Sequence, residues 1–284
     1  MKQANYILFV IIFGILLVSG CSSEKTALSC SKVVQSTINS KIIGGKMNIT
    51  VYLPKGYGKG DKYPVLYALH GASGNEWAWF EDLDANSCAD RLISQNRIKP
   101  MIIVCTKTLN SLTLNNSDDK NTGNTQKDLF EEYVCEELVQ YVDLHYDTIK
   151  SQKSRYIGGI SMGGFMALQI GLHHPRIFGK AGGHSPASWI YDYSENSFDN
   201  WLYSGKTESN SRDLVKVARK RGLSDIKVYL DCGKNDYGIV DDTRKIHDAL
   251  IKRGINSTCV ISEGEHSLEY WAKNMDKYLE FYNK

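Results

Sequence analysis

Residues 154–174 read "SRYIGGISMGGFMALQIGLHH". A short apolar run leads into Ser161, which has Gly158 and Gly159 before it and Gly163 and Gly164 behind it, and a helical pattern follows at once. The spacing Gly159, Ser161, Gly163 is Gly-x-Ser-x-Gly in a strand-turn-helix setting. A turn this sharp strains the serine, and any side chain on the flanking positions would collide with strand or helix. The helix start behind Ser161 adds unpaired backbone N–H groups and a positive dipole end.

Working outward, further short apolar runs end in small or polar residues: "YPVLYALHG" (63–71), "KPMIIVCTKT" (99–108), "FGKAGGHS" (178–185), "IKVYLDCG" (226–233) and "STCVISEG" (257–264). They read as buried parallel strands. Ahead of them, "KVVQSTINS" (32–40) and "MNITVYLP" (47–54) alternate with period two, which predicts an antiparallel pair at the sheet's leading edge. Helical patterns fill the gaps at about 84–96, 128–146, 162–174, 212–220, 238–253 and 268–282. Strand alternating with helix predicts an α/β fold, mostly parallel, with helices on both faces of the sheet. The stretches 110–126 and 186–205 are long for connections and are candidates for substrate-facing loops; the polar first one reads more readily as disordered surface, while Trp189 and Trp201 favour a substrate-facing role for the second.

The chain has 284 residues, enough for one large domain, and 34 Lys plus Arg against 32 Asp plus Glu. No run of like charge forms a nucleic-acid footprint, so nucleic acid is not an expected partner. Residues 1–20 carry Lys2, an apolar stretch and small residues before Cys21, the pattern of a secretory signal peptide. "LVSGC" (17–21) resembles the lipobox of bacterial lipoproteins. The expected organisation is a lipoprotein signal peptide (1–20), a lipidated tether (21–30) starting at Cys21, and one catalytic-size domain (31–284) exported to the cell surface or periplasm. Without Lys2 the mature chain keeps 33 of its 34 basic residues against 32 acidic ones, so membrane association is expected to rest on the lipid and not on a basic patch. Six cysteines remain after Cys21, none at zinc-site spacing, and no metal or organic cofactor is implied.

A serine hydroxyl is a poor nucleophile until a base takes its proton. Of seven histidines, His145, His173, His174 and His247 fall on helical patterns, while His266 lies between the last strand and the last helix. That is where a base belongs if the chain order is serine, acid, histidine. The acid is sought after the preceding strand, in "VYLDCGKNDYGIVDD" (228–242). Asp231 is still inside the apolar run and shapes the strand end; Asp241 and Asp242 read as ordinary charges at a helix start; Asp236 remains. Oxyanion donors are expected at the N–H groups of Met162 and Ala72, with His70 and Gly71 shaping the turn.

Together, "YPVLYALHGASGNEWAW", "EELVQYVDLHY", "RYIGGISMGGFMAL", "HHPRIFGKAGGHSP", "DCGKNDYGIVDDTRKIHDAL" and "EGEHSLEYW" resemble the esterase D group of α/β-hydrolases, also known as carbohydrate esterase family 1, over roughly 45–282. The resemblance implies an α/β-hydrolase fold with Ser161 as nucleophile, Asp236 as acid, His266 as base, and Met162 with Ala72 at the oxyanion. It implies a serine esterase working through an acyl-enzyme on acetyl, short-acyl or feruloyl esters. One departure is that Ser267 and Leu268 follow the histidine where the family often has an acidic residue and a tryptophan; Trp271 comes later. Trp77, Trp79, Trp189 and Tyr237 are expected to line a cleft for a sugar or hydroxycinnamoyl ring. An acyltransferase using the same site and a non-catalytic glycan-binding lipoprotein are the alternatives, and neither oligomeric state nor disulfide pairing is legible.

Overall fold

The computed structural model describes residues 27–108, 126–188, 213–219, 222–223 and 225–283. The signal peptide, Cys21, Trp189 and most of the two long loops lie outside the described residues. All eight expected strands form one sheet: β1 (Lys32–Ser40), β2 (Gly45–Leu53), β3 (Val65–Leu69), β4 (Ile102–Thr106), β5 (Arg155–Ile160), β6 (Lys180–His184), β7 (Lys227–Gly233) and β8 (Asn256–Ser262). Their spatial order is β1-β2-β4-β3-β5-β6-β7-β8. β1 pairs antiparallel with β2, and β2 with β4; every other neighbour is parallel. β3 to β8 therefore all end at one edge of the sheet, the rim, and start at the opposite edge, the base.

Helices α1 (Ala78–Glu81), α2 (Ala85–Ser94) and α8 (Leu268–Asn283) cover one face. The other is covered by α3 (Gln126–Glu132), a π-helical stretch (Tyr133–Leu138), α4 (Val139–His145), α5 (Met162–His173), α6 (Leu214–Ala218) and α7 (Ile239–Lys252). The expected single helix at 128–146 thus contains a wider turn. Its buried residues Phe130, Val134, Leu138 and Val142 recur every four positions. An α-helix turns in 3.6 residues, so such a stripe drifts off the core unless a wider π-turn absorbs the surplus.

The chain is ordered before β1 begins. The Leu28 N–H donates to the Tyr57 carbonyl at 2.9 Å, and the Gly56 N–H donates to the Leu28 carbonyl at 2.9 Å. Leu28, inside the expected tether, packs its apolar side chain against the hydrophobic core, as Tyr57 does. Lys32 at the start of β1 pairs with Leu53, and Tyr52 pairs with Ile103 near the start of β4, so the N-terminal segment enters at the base.

The paired glycines Gly158 and Gly182 serve packing, not the turn. A Cβ on either would lie 1.8 or 1.9 Å from the hydroxyl oxygen of Tyr282, which α8 lays across β5 and β6. Among the described residues no helix is long and apolar enough to cross a membrane, and all six cysteines from Cys30 to Cys259 are free thiols.

Candidate active site

Ser161 stands between β5 and α5 with φ 54° and ψ −121°. A non-glycine residue in this region costs about 1–3 kcal/mol, so neighbouring contacts must over-determine it. They do: the Ser161 N–H donates to the His184 carbonyl at 2.8 Å, and the Ser161 carbonyl accepts from Phe165 N–H at 3.0 Å and Ala187 N–H at 3.1 Å. The flanking glycines are sterically compulsory. A Cβ on Gly159 would sit 2.3 Å from the Gly163 backbone, and one on Gly163 would sit 2.4 Å from the Leu69 carbonyl oxygen. β5 and α5 thus cross closely enough to project the serine from the rim.

His266, on the turn between β8 and α8, places Nε2 2.8 Å from Ser161 Oγ, which donates to it. Its Nδ1–H donates to Asp236 Oδ2 at 2.9 Å, with Oδ1 at 3.1 Å. The carboxylate fixes the tautomer whose Nε2 lone pair faces the serine, the arrangement that lets an imidazole take a hydroxyl proton. Asp236 is 3% exposed while the His266 side chain is 36% exposed, so the acid is sealed and the base meets the cleft. Trp271 packs edge-on to the His266 ring at 5.0 Å and donates its indole N–H to Ser185 Oγ at 3.1 Å. The late tryptophan, a departure in sequence, holds the imidazole from behind.

Met162 opens α5, so its N–H is one of those a helix start leaves without an intrahelical partner. Gly71 runs against the serine, its built Cβ falling 3.5 Å from Ser161 Cβ. The Gly71 carbonyl accepts from His70 Nδ1–H at 2.6 Å and from Gly74 N–H at 3.1 Å. Across a trans peptide the N–H points opposite to the C=O, so these two bonds also fix the direction of the Ala72 N–H. His70 Nε2 in turn accepts from Thr108 N–H at 2.9 Å, and burial pushes its pKa below the ordinary imidazole value. His70 is a neutral strut of the turn, as expected.

Two expectations are corrected. Trp79 does not line a cleft: it is fully buried and donates its indole N–H to the Leu69 carbonyl at 3.1 Å, because α1 turns it inward under the sheet. Asp242 is no ordinary helix-start charge: it is buried, accepting from Ser188 Oγ at 3.4 Å and Lys245 Nζ at 3.2 Å. Trp77 is half-buried, and Tyr237, next to Asp236, is 87% exposed.

A buried polar network beneath the serine was not legible as a unit. Asp231 accepts from His184 Nδ1–H at 2.7 Å, Tyr278 O–H at 2.8 Å and Tyr270 O–H at 3.0 Å. Tyr278 stacks on His184 at 3.6 Å, and the His184 carbonyl is the one that holds Ser161 N–H. The signal in the sequence is the glycine pairs of β5 and β6 matched to the tyrosines of the last helix.

An α/β sheet of this order with serine, histidine and aspartate after β5, β8 and β7 defines an α/β-hydrolase with a serine-hydrolase site. The profile of the family described as "Putative esterase" matches residues 40–282, and the chain belongs to that family. It is 34% identical over 86% of its length to an "Endo-1,4-beta-xylanase/feruloyl esterase" of Xylanibacter ruminicola, spanning only 30% of that protein. It is 23% identical to an "Acetyl esterase" of Caldicellulosiruptor saccharolyticus, over 89% of this chain and 98% of the other. Among solved structures, a "ferulic acid esterase" superposes with a TM-score of 0.77 at 27% identity, over 89% of this chain and 98% of that one. The protein is a carboxylic ester hydrolase.

Proposed function

We propose that this chain is an exported, lipid-tethered serine esterase that removes feruloyl or short acyl groups from extracellular glycans. The observation that carries the reading is the continuous chain Ser161 Oγ, His266 Nε2, His266 Nδ1, Asp236 at hydrogen-bond distances. As His266 takes the hydroxyl proton, Ser161 Oγ bonds to the ester carbonyl carbon, and the Met162 and Ala72 N–H groups donate to the oxyanion. Collapse breaks the carbon–alkoxy bond, and the alcohol leaves with the proton from His266. Water, deprotonated by the same imidazole, then displaces Ser161 and frees the acid. Asp236 stabilises the imidazolium throughout.

The names of the relatives support the acyl classes: one carries a feruloyl esterase beside a xylanase, another is an acetyl esterase. Trp77 and Tyr237 are the described aromatic residues near the rim that suit a phenolic ring or sugar. Export and the Cys21 lipid rest on the N-terminal sequence pattern. The test has two parts. A fluorophosphonate must label Ser161 in the wild type and not in Ser161→Ala; labelling elsewhere overturns the mechanism. Turnover of acetyl, butyryl and feruloyl esters, on phenols and on xylo-oligosaccharides with and without a free sugar acceptor, assigns acyl group and alcohol; acyl transfer to the sugar in preference to water overturns the hydrolase reading.

A further inference from the structure

The near-zero net charge conceals a cationic face. Six loops lead into β3 to β8 at the base, and each carries an exposed cation: Lys59, Lys99, Lys150, Arg176, Arg219 and Arg253. Among the described residues none of these six makes an ion pair. The exposed acids of the same loops are two, Asp61 and Asp225. Among the described residues the rim is mixed instead: Glu81, Asp82, Asp84, Asp241, Glu263, Glu265 and Glu269 are exposed there with Lys41, Lys46, Lys234, Arg244, Lys245 and Lys273, and Lys234 pairs with Glu263 and Arg244 with Asp241. Adjacent strands lie about 4.8 Å apart, so six neighbouring strand ends spread the cations over roughly 25 Å.

The N-terminal segment leaves from this same face. Leu28 is seated on the 56–57 turn, and Lys32 begins β1 at the base. Six residues lie between Cys21 and Leu28, and the seven steps reach at most about 25 Å fully extended. Ser161 lies at the far end of β5, about 20 Å of strand away, with the rim loops beyond. A tether of that length cannot bring the rim down to the anchor's surface without running extended up the whole flank.

We propose that the base is a docking surface for an anionic phospholipid bilayer, which holds the active site facing outward, away from the headgroups. The direction of the tether rests on the lipid-anchor reading; the charge complementarity does not. The charges are scattered one per loop in sequence, and only the parallel topology gathers them on one face. Each lysine or arginine within a Debye length of an anionic surface contributes about fivefold to partitioning.

The test uses the full chain purified from membranes and reconstituted into vesicles. In a Cys30→Ser background a fluorophore is placed at Ser151→Cys on the base or at Asp241→Cys on the rim, and energy transfer to a headgroup acceptor is read. Phosphatidylglycerol-rich vesicles should give strong transfer from the base and weak transfer from the rim. Zwitterionic vesicles, high salt, or the Lys59→Glu/Lys150→Glu/Arg176→Glu variant should weaken the base signal, with turnover of a soluble ester unchanged. Lipid on the Cys21 peptide is read separately by mass spectrometry. If it is absent, the same chain is added to preformed vesicles, where the triple variant should lose about tenfold or more of its partitioning into anionic ones. Base transfer insensitive to lipid charge, salt and charge reversal overturns the proposal, as does tighter retention by heparin or duplex RNA than by anionic vesicles at equal salt.

Discussion

Replacing His70 by alanine should disable one oxyanion donor without touching the triad. His70 Nδ1–H holds the Gly71 carbonyl at 2.6 Å, and that carbonyl shares its peptide plane with the Ala72 N–H. Complete loss of a donor costs about 10²–10³ in rate. The Gly74 N–H still grips the same carbonyl at 3.1 Å, so part of the orientation survives, and the expected fall in kcat is about 10–100-fold, or roughly 1.4–2.7 kcal/mol. KM should change little, because the donor acts mainly on charge that develops after binding. Stability should also fall by about 1–3 kcal/mol, since the buried Thr108 N–H loses its acceptor Nε2 at 2.9 Å. His70→Asn offers a side-chain amide N–H in place of Nδ1–H and should recover much of kcat while leaving part of the stability loss. The assay is steady-state hydrolysis of an aryl ester at a temperature where melting curves show each variant folded. A kcat for His70→Ala within about threefold of wild type, or a loss that His70→Asn shares in full, would refute the claim that this imidazole aims the Ala72 N–H.

Three further outcomes follow from the packing and the charges. Asp231→Ala strands the His184 imidazole N–H and the Tyr278 hydroxyl in the core, while the Tyr270 hydroxyl keeps Ser262 Oγ at 3.1 Å, and should cost about 3–5 kcal/mol, lowering Tm by about 10 °C in a melting experiment; a change under 1 kcal/mol or so would show the network to be dispensable. Gly158→Ala drives a methyl carbon to 1.8 Å from the Tyr282 hydroxyl oxygen, so α8 must shift; a loss of about 2–3 kcal/mol in denaturant unfolding is expected, and Ala tolerated without loss would mean that Tyr282 is not fixed there. Burial lowers the pKa of Lys180 to about 8, whereas the unfolded chain titrates near the ordinary 10.5. The unfolded state then binds more protons between these values, so this group's contribution to stability rises as pH goes from about 8 to 10.5. Melts of wild type and Lys180→Met across that interval should differ in slope, the wild type gaining relative to the variant; parallel curves would contradict the shift.

Much of this architecture was legible because it follows from local rules. Period-two and unbroken apolar runs marked all eight strands, since a strand buried on two faces has no place for polar residues. Asp236 and His266 were singled out by position, and the structure brings them within hydrogen-bond distance because a parallel sheet delivers each strand end to the same rim. Trp79 failed for a reason no pattern reveals: Trp77 and Trp79 differ by two residues on a short helix, and only the direction in which α1 meets the sheet decides which indole is buried. The π-turn at Tyr133–Leu138 was likewise hidden, since a four-residue repeat is close enough to 3.6 to pass for an ordinary helix.

The sequence by itself determined that Ser161 is set in a strand-turn-helix where Gly159 must be glycine, because its clash with the Gly163 backbone lies within ten residues; the clash of Gly163 with Leu69 is with another strand. It also pointed to the loops whose aspartate and histidine meet the serine, because strand order fixes where loops emerge. Three things waited for the tertiary structure: the His184–Asp231–Tyr278 network, the glycine seats of Tyr282, and the gathering of unpaired cations at the base. Each joins residues tens of positions apart, and hydrogen bonds and fields depend on distance in space, which the chain's own order does not contain.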